Sequence, residues 1–334
     1  MTADPEYGPN PAFDEGFLAE LASCADAELA RHLDVRVDWS YHDILDREAV
    51  ARRSAAPPVD VSADVQAIFL GNLAVEKGHA EYDRIVGERF ERHPSFRAWK
   101  NSWVAEEEPH SAAMLEWAKV SGLFARSTAD GIDLARVHGT IAGFIRHGLT
   151  LSFDDAGMAL AYPAFQEPAT RVTHLEVKKR LPDDEVEGRK VLSRVIGDEE
   201  RHERFYCNMV RHALWSGDRA LASHQMCGIA RSALGFTMPG IETDLPGGDE
   251  ITKAYKRTGA FTVAKVAGEV LRPLISGVGT HRWDIEHVED LDDRGRAAQA
   301  AILAFDRDLQ AVEGNERRTL LTLAKARASL LAAA

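Results

Sequence analysis

Two Glu-x-x-His motifs carry the chemistry of this sequence, Glu107-Glu108-Pro109-His110 and Glu199-Glu200-Arg201-His202. About thirty residues upstream of each stands a lone glutamate, Glu76 and Glu167. Residues three apart share a helix face, so each motif points a carboxylate and an imidazole the same way. Carboxylate oxygens with imidazole nitrogens suit Fe(II) or Mn(II). The lack of thiolates in the set disfavours zinc ribbons and iron–sulfur clusters. Four ionised glutamates balance two divalent ions, so such a set can be buried at little net charge. Without metal, the same carboxylates would be like charges packed in an apolar core, which is costly. The expected ligands are Glu76, Glu107, His110, Glu167, Glu199 and His202.

Helices must present these six residues inward. Trp103, Glu107, His110, Met114 and Trp117 form one stripe at helical spacing. Leu192, Val195, Glu199, His202, Tyr206 and Met209 form another, and Glu167, Thr170, His174 and Val177 a third. Polar ligands inside apolar stripes are what a bundle-core site requires, as in ferritin-like di-iron carboxylate proteins. Ligand imidazoles also need an acceptor for their second nitrogen. Glu106 and Asp198, one residue before each motif, are the candidates.

The expected helices cover about 12–33, 62–87, 95–121, 130–147, a Glu167 helix ending near 180, 183–215, 217–236, 250–257, 260–276 and a broken stretch over 288–331. Residues 34–60 read as irregular and 238–248 as a loop. Each half thus repeats a glutamate helix, a turn and a Glu-x-x-His helix. The fold class read from this is all-α: a ferritin-like four-helix bundle with a di-iron core, extended by additional helices. We read 1–334 as one domain, with an N-terminal segment (1–60), the bundle core (61–215) and C-terminal helices (216–334).

The chain has 334 residues, 45% hydrophobic and 28% charged, ample for a large core. A net charge of −13 argues against nucleic acid as the main partner. The local basic stretch Lys178-Lys179-Arg180 can still meet an acidic protein. No signal peptide and no span-length apolar stretch is evident. Cys24, Cys207 and Cys227 are far apart and read as free thiols, so a cytoplasmic location is expected.

The chain resembles the soluble acyl-carrier-protein desaturases, the stearoyl-type enzymes of plastids and their actinobacterial relatives. The matching stretches are Gly71-Asn72-Leu73-Ala74-Val75-Glu76, Trp103-Val104-Ala105-Glu106-Glu107 running to His110, Phe165-Gln166-Glu167-Pro168-Ala169-Thr170, and Asp198-Glu199-Glu200-Arg201-His202-Glu203. Trp39, Met238-Pro239, Thr258-Gly259-Ala260-Phe261-Thr262 and Arg282-Trp283-Asp284 follow in family order. The resemblance implies that the six residues bind two iron ions. It implies that Thr170 lies beside the oxygen-binding face, and that Trp39, Asp198 and His110 form a route for electrons. It also implies a homodimer taking two electrons from ferredoxin and one O₂ to turn an acyl chain on acyl carrier protein into a cis alkene.

Some residues depart from the family pattern. Pro109 and Pro168 sit inside ligand helices and are expected to kink or bulge them. Glu76-Lys77-Gly78-His79 is formally a third Glu-x-x-His. A ligating His79 would favour the alternative reading, a di-iron oxygenase (hydroxylase or N-oxygenase) acting on a carrier-tethered or small-molecule substrate. Iron storage fits poorly, because more than a hundred residues follow His202, beyond what a minimal storage bundle needs.

Overall fold

The computed structural model describes residues 11–124, 155–234, 236, 248–276, 282–312, 315, 318 and 325. Among the described residues every regular element is helical. The chain opens with α1 (Pro11–Glu20), α2 (Ala22–Val35), α3 (Arg47–Ala55), α4 (Ala63–Lys77), α5 (His79–Phe90) and α6 (Pro94–Val120). After these come α7 (Ala156–Arg180), α8 (Val186–Leu214), α9 (Arg219–Leu234) and α10 (Gly248–Thr258). α11 (Val263–Val266), a π-helical turn (Ala267–Leu271), α12 (Arg272–Ile275) and α13 (Asp293–Ala311) follow. The helix expected over 130–147, and most of the loop expected over 238–248, lie outside the described residues.

Four helices close a ring of contacts: α4 on α6, α6 on α8, α8 on α7 and α7 on α4. This is the four-helix bundle expected from the sequence. Each ligand helix has a defined start. Ser62 Oγ accepts from the Val65 amide, Asp155 Oδ1 from Met158 and Glu185 Oε1 from Gly188. Pro94 occupies the first turn of α6, where its missing N–H costs nothing. Trp99, Trp117, Phe165, Phe205 and Tyr206 fill the core. The added helices cover the ring from outside: α2 lies on α6 and α8, α9 on α7, α10 on α4 and α13 on α9.

Two glycines set approach distances. A Cβ on Gly228 would meet the Gly157 carbonyl carbon at 2.5 Å, so α9 packs backbone to backbone on α7. A Cβ on Gly71 would meet Ile251 Cγ2 at 2.8 Å and the Tyr255 hydroxyl at 2.9 Å. Its absence lets α10 press onto α4 one turn before Glu76.

The structure departs from the expected elements in several places, and the helix expected over 12–33 is itself divided into α1 and α2 at Leu21. Residues 47–55, expected to be irregular, form α3, capped by Asp46 Oδ1 accepting from the Ala49 amide. The single helix expected over 62–87 is two. Gly78 ends α4 with its N–H donating to Ala74 O and Val75 O. The α-helix also runs without a π-bulge through Pro109 and Pro168. Both prolines lie in long helices packed against bundle neighbours, and that packing outweighs the lost backbone bond.

Candidate metal centre

The six residues expected as ligands meet inside the bundle. Glu76 comes from α4, Glu107 and His110 from α6, Glu167 from α7, Glu199 and His202 from α8. All are buried, and both imidazoles are fully so. They form two overlapping groups whose ligand atoms lie within 4.8 Å of one another. One holds Glu76, Glu107, His110 and Glu199, the other Glu107, Glu167, Glu199 and His202. Glu107 and Glu199 belong to both. His110 Nδ1 stands 3.2 Å from Glu76 Oε2, 3.3 Å from Glu107 Oε2 and 3.6 Å from Glu199 Oε1. His202 Nδ1 stands 3.0 Å from Glu107 Oε1 and 3.6 Å from Glu167 Oε2. Thus the two oxygens of Glu107 face the two histidines.

The electrostatics of the cluster call for cations. Burial pushes Glu199 well above its ordinary pKa, and the Glu107, Glu167 and Glu76 carboxylates push it further. Burial also raises Glu167. Burial alone would lower His110 and His202, but the carboxylates around them outweigh it and hold both well above the usual imidazole value. Glu167 Oε1 and both ring nitrogens of His202 are buried without a hydrogen bond. Such orphaned atoms are costly unless an ion satisfies them. Donor set, burial and orphaned atoms all fit a pair of divalent metals bridged by carboxylates.

Three polar supports stand behind the ligands, two of them hydrogen-bonded to a ligand side chain. In the first, His110 Nε2 lies 3.0 Å from Asp198 Oδ2, and Trp39 Nε1 donates to the same oxygen at 2.7 Å. Arg201 pairs with the other oxygen, and the Trp39 and His110 rings stack at 6.1 Å. Trp39 sits just before a 3₁₀ turn (Tyr41–Asp43) held by a Ser40–Asp43 capping box. In the second, Glu106 takes the corresponding place beside His202, with Oε2 at 3.5 Å from Nε2. Its other oxygen meets His32 Nε2 at 2.7 Å. In the third, Glu76 Oε1 meets His174 Nε2 at 2.6 Å, and His174 Nδ1 meets Asn72 Nδ2 at 3.2 Å. Tyr255 donates from α10 to Asn72 Oδ1 at 2.5 Å.

The fatty acid desaturase family model matches residues 15–330. The chain belongs to the fatty acid desaturase family. Among its relatives, the Mycobacterium tuberculosis protein named acyl-[acyl-carrier-protein] desaturase DesA1 is 22% identical over 89% of this chain and 86% of its own length. Stearoyl-[acyl-carrier-protein] 9-desaturase 2 of Arabidopsis thaliana chloroplasts is 24% identical over 80% of this chain and 64% of its own length. The X-ray structure of M. tuberculosis DesA2, titled an acyl-ACP desaturase, superposes with a TM-score of 0.52 at 18% identity, covering 75% of this chain and 90% of that one. That likeness supports the helical fold. This desaturase-family chain is an oxidoreductase, and its buried carboxylate–histidine groups are positioned for metal. Among the described residues no helix is long and apolar enough to cross a membrane.

Within this desaturase, the remaining expected site residues fall beside the cluster. Thr170 Oγ lies 2.7 Å from Glu199 Oε2, where it can donate, and also within reach of the Glu167 and Gln166 carbonyls at 2.9 and 3.1 Å. A narrow crevice with about 10 Å³ of free space opens against the carboxylates, walled by Val75, His79, Trp103, Gln166 and Thr170. His79 is not a ligand in this geometry. Its Nδ1 donates to the Glu76 carbonyl at 3.0 Å, and it belongs to neither metal group. Gly78 breaks the helix just before it, so the Glu76–His79 spacing does not share one helical face.

Sequence reasoning missed the roles of His32, Asn72, His174 and Tyr255. For His174 the signal was present: it lies two turns beyond Glu167 on the ligand stripe. Asn72 likewise stands one turn before Glu76. His32 and Tyr255 reach the site from helices outside the bundle, and no spacing in the sequence marks them.

Proposed function

We propose that the chain binds two iron ions on Glu76, Glu107, His110, Glu167, Glu199 and His202. It uses O₂ and two electrons to place a cis double bond in an acyl chain carried on acyl carrier protein. The observation that carries this reading is the pair of metal groups sharing Glu107 and Glu199 inside a desaturase-family fold. Relatives named as acyl-carrier-protein desaturases support the substrate class. When bound, the iron pair supplies the oxidising chemistry.

The chain's own residues do the rest. Asp198 accepts from His110, fixing that ring and keeping its inward nitrogen for metal, and Glu106 places a carboxylate behind His202. Thr170 holds its hydroxyl proton at Glu199 Oε2, beside the crevice where reactants meet. Trp39 and Asp198 join His110 to a partly exposed indole, the route by which a ferredoxin-type donor delivers electrons. Core aromatics keep water from the centre. His79 bonds to backbone instead of facing metal, which removes the sequence ground for an oxygenase. Intact-mass analysis of acyl carrier proteins, after incubation with iron-loaded protein, ferredoxin, reductant and air, tests the reading. Loss of two hydrogens from an acyl arm is expected. Gain of oxygen, or no change on any chain length, would reject it.

The carrier, being acidic, docks on the basic face near the α7–α8 turn. Lys179, Arg180 and Lys265 converge there on the single carboxylate of Glu176. Burial alone would raise Glu176, but these cations outweigh it and set its pKa at about 2. The cluster keeps an excess of positive charge; Lys178 precedes it in the chain, and Arg189, next to exposed Lys190, bonds to the Lys178 carbonyl. Reversing both, Lys178→Glu with Lys190→Glu, is expected to weaken carrier binding roughly tenfold at low salt and less at high salt. Titration of fluorescent carrier protein measures this, and equal affinity at low salt would exclude the face. The homodimer that the resemblance implies is read by size-exclusion chromatography, where a storage role would instead give a large cage.

A further inference from the structure

The crevice beside the metal cluster is not walled for a plain hydrocarbon. Val75 and Trp103 are apolar, but His79 and Gln166 also line this crevice beside the carboxylates. The ring of His79 is held in one orientation. It opens α5 directly after Gly78, and its Nδ1 donates to the Glu76 carbonyl at 3.0 Å. That bond uses the Nδ1 proton, so in the neutral ring Nε2 is the acceptor, and it has no hydrogen-bond partner among the described residues. Gln166, only 7% exposed, likewise makes no side-chain hydrogen bond among the described residues. A chain of methylenes drawn past these two groups would strip them of water and give nothing back, an asymmetry that a polar site turns into rejection of the apolar analogue.

We infer that the substrate is an acyl chain carrying a hydrogen-bond donor, a hydroxyl or an amide N–H, within a few bonds of the carbon that loses hydrogen. That donor bonds to His79 Nε2, with Gln166 as the second polar contact. The inference rests on the carrier-bound acyl reading given above and names the chemical class of chain within it. It makes His79 a specificity residue that touches substrate and not a metal ligand.

The test compares carrier proteins loaded with matched chains: plain acyl, hydroxyacyl with the hydroxyl at successive positions, and amide-containing acyl. The iron-loaded protein is assayed by intact mass for kcat/KM and by fluorescence anisotropy for carrier affinity. At least one donor-bearing chain is expected to exceed its plain counterpart about tenfold or more in both readouts. Which arm responds, hydroxyl or amide, names the donor. His79→Leu is expected to abolish that preference, and His79→Gln, which restores a hydrogen-bonding group, to keep part of it, with iron content unchanged in both. Equal or better handling of plain chains by the unmodified protein overturns the inference, as does a preference that survives His79→Leu. If no chain loses hydrogen, the desaturase reading fails by itself. The affinity comparison then still decides whether His79 selects a donor-bearing chain.

Discussion

Replacing Glu199 by glutamine is expected to raise the melting temperature of the metal-free protein and to lower that of the metal-loaded protein. Glu199 is buried among Glu76, Glu107 and Glu167, and its raised pKa records the strain of ionising there. Removing one charge from a buried like-charge cluster relieves on the order of 1–4 kcal/mol, roughly 2–6 °C for a chain of this size. With metal present the same change removes a ligand shared by both ions, and the sign reverses. The pH dependence follows from the same shifts. Glu199 and Glu167 have folded-state values above the ordinary 4.5, so the folded state holds more protons than the unfolded one once pH exceeds that value. Their stability is fully present below it and is lost as pH rises. His110 and His202, raised above 6.5, extend the loss to higher pH. Glu76 and Glu107 are depressed, so their share is complete above 4.5 and adds no slope there. The chelated protein should therefore melt lower at each step from pH 5 to 8, while the loaded protein, whose ligands must be deprotonated, should not. Thermal melts of both forms measure it. A chelated protein indifferent to pH, or a Glu199→Gln variant destabilised in both forms, would contradict the cluster as described.

Asp198→Asn is the second large effect. It should keep both metals yet slow donor-supported turnover about 10–100-fold. One carboxylate oxygen accepts from Trp39 Nε1 and His110 Nε2 together. An amide at that place either turns its own N–H₂ toward those donors or surrenders the contact with Arg201. Single-turnover reaction with chemically reduced protein should recover most of the rate, because small reductants need no protein route. The comparison with Trp39→Phe is informative, since phenylalanine keeps the ring and loses only the N–H. If Trp39→Phe turns over normally with ferredoxin, the electron route does not run through Trp39.

The candidate ligand set was legible because five of its six residues interrupt an apolar stripe, and a carboxylate in such a place has few other uses. The local code also carried Asp198 and Glu106, which must sit next to the motifs they support. What escaped was long-range pairing. His32 meets Glu106 across 74 residues and Tyr255 meets Asn72 across 183, and periodicity holds no information at that range. Helix α3 escaped for a different reason. Its arginines and small residues give a weak apolar stripe, although Asp46 before Arg47-Glu48 was a readable cap. The helix expected over 62–87 runs through Gly78, but there Gly78 ends α4 and precedes α5.

The contact between Gly71 and Tyr255 bears on how much of the chain the metal centre needs. Counted by ligands alone, the centre ends at His202, and everything beyond could be trimmed to leave a minimal scaffold. Yet the Tyr255 hydroxyl closes the line through Asn72 and His174 to Glu76. A truncation after α9 would strip the covering helix from the Gly71 notch and leave the Asn72 amide oxygen facing solvent instead of its phenol. The smallest unit that preserves Glu76 in its present setting therefore extends through α10. Any attempt to transplant this centre into a bare four-helix frame must bring a substitute for that one hydroxyl.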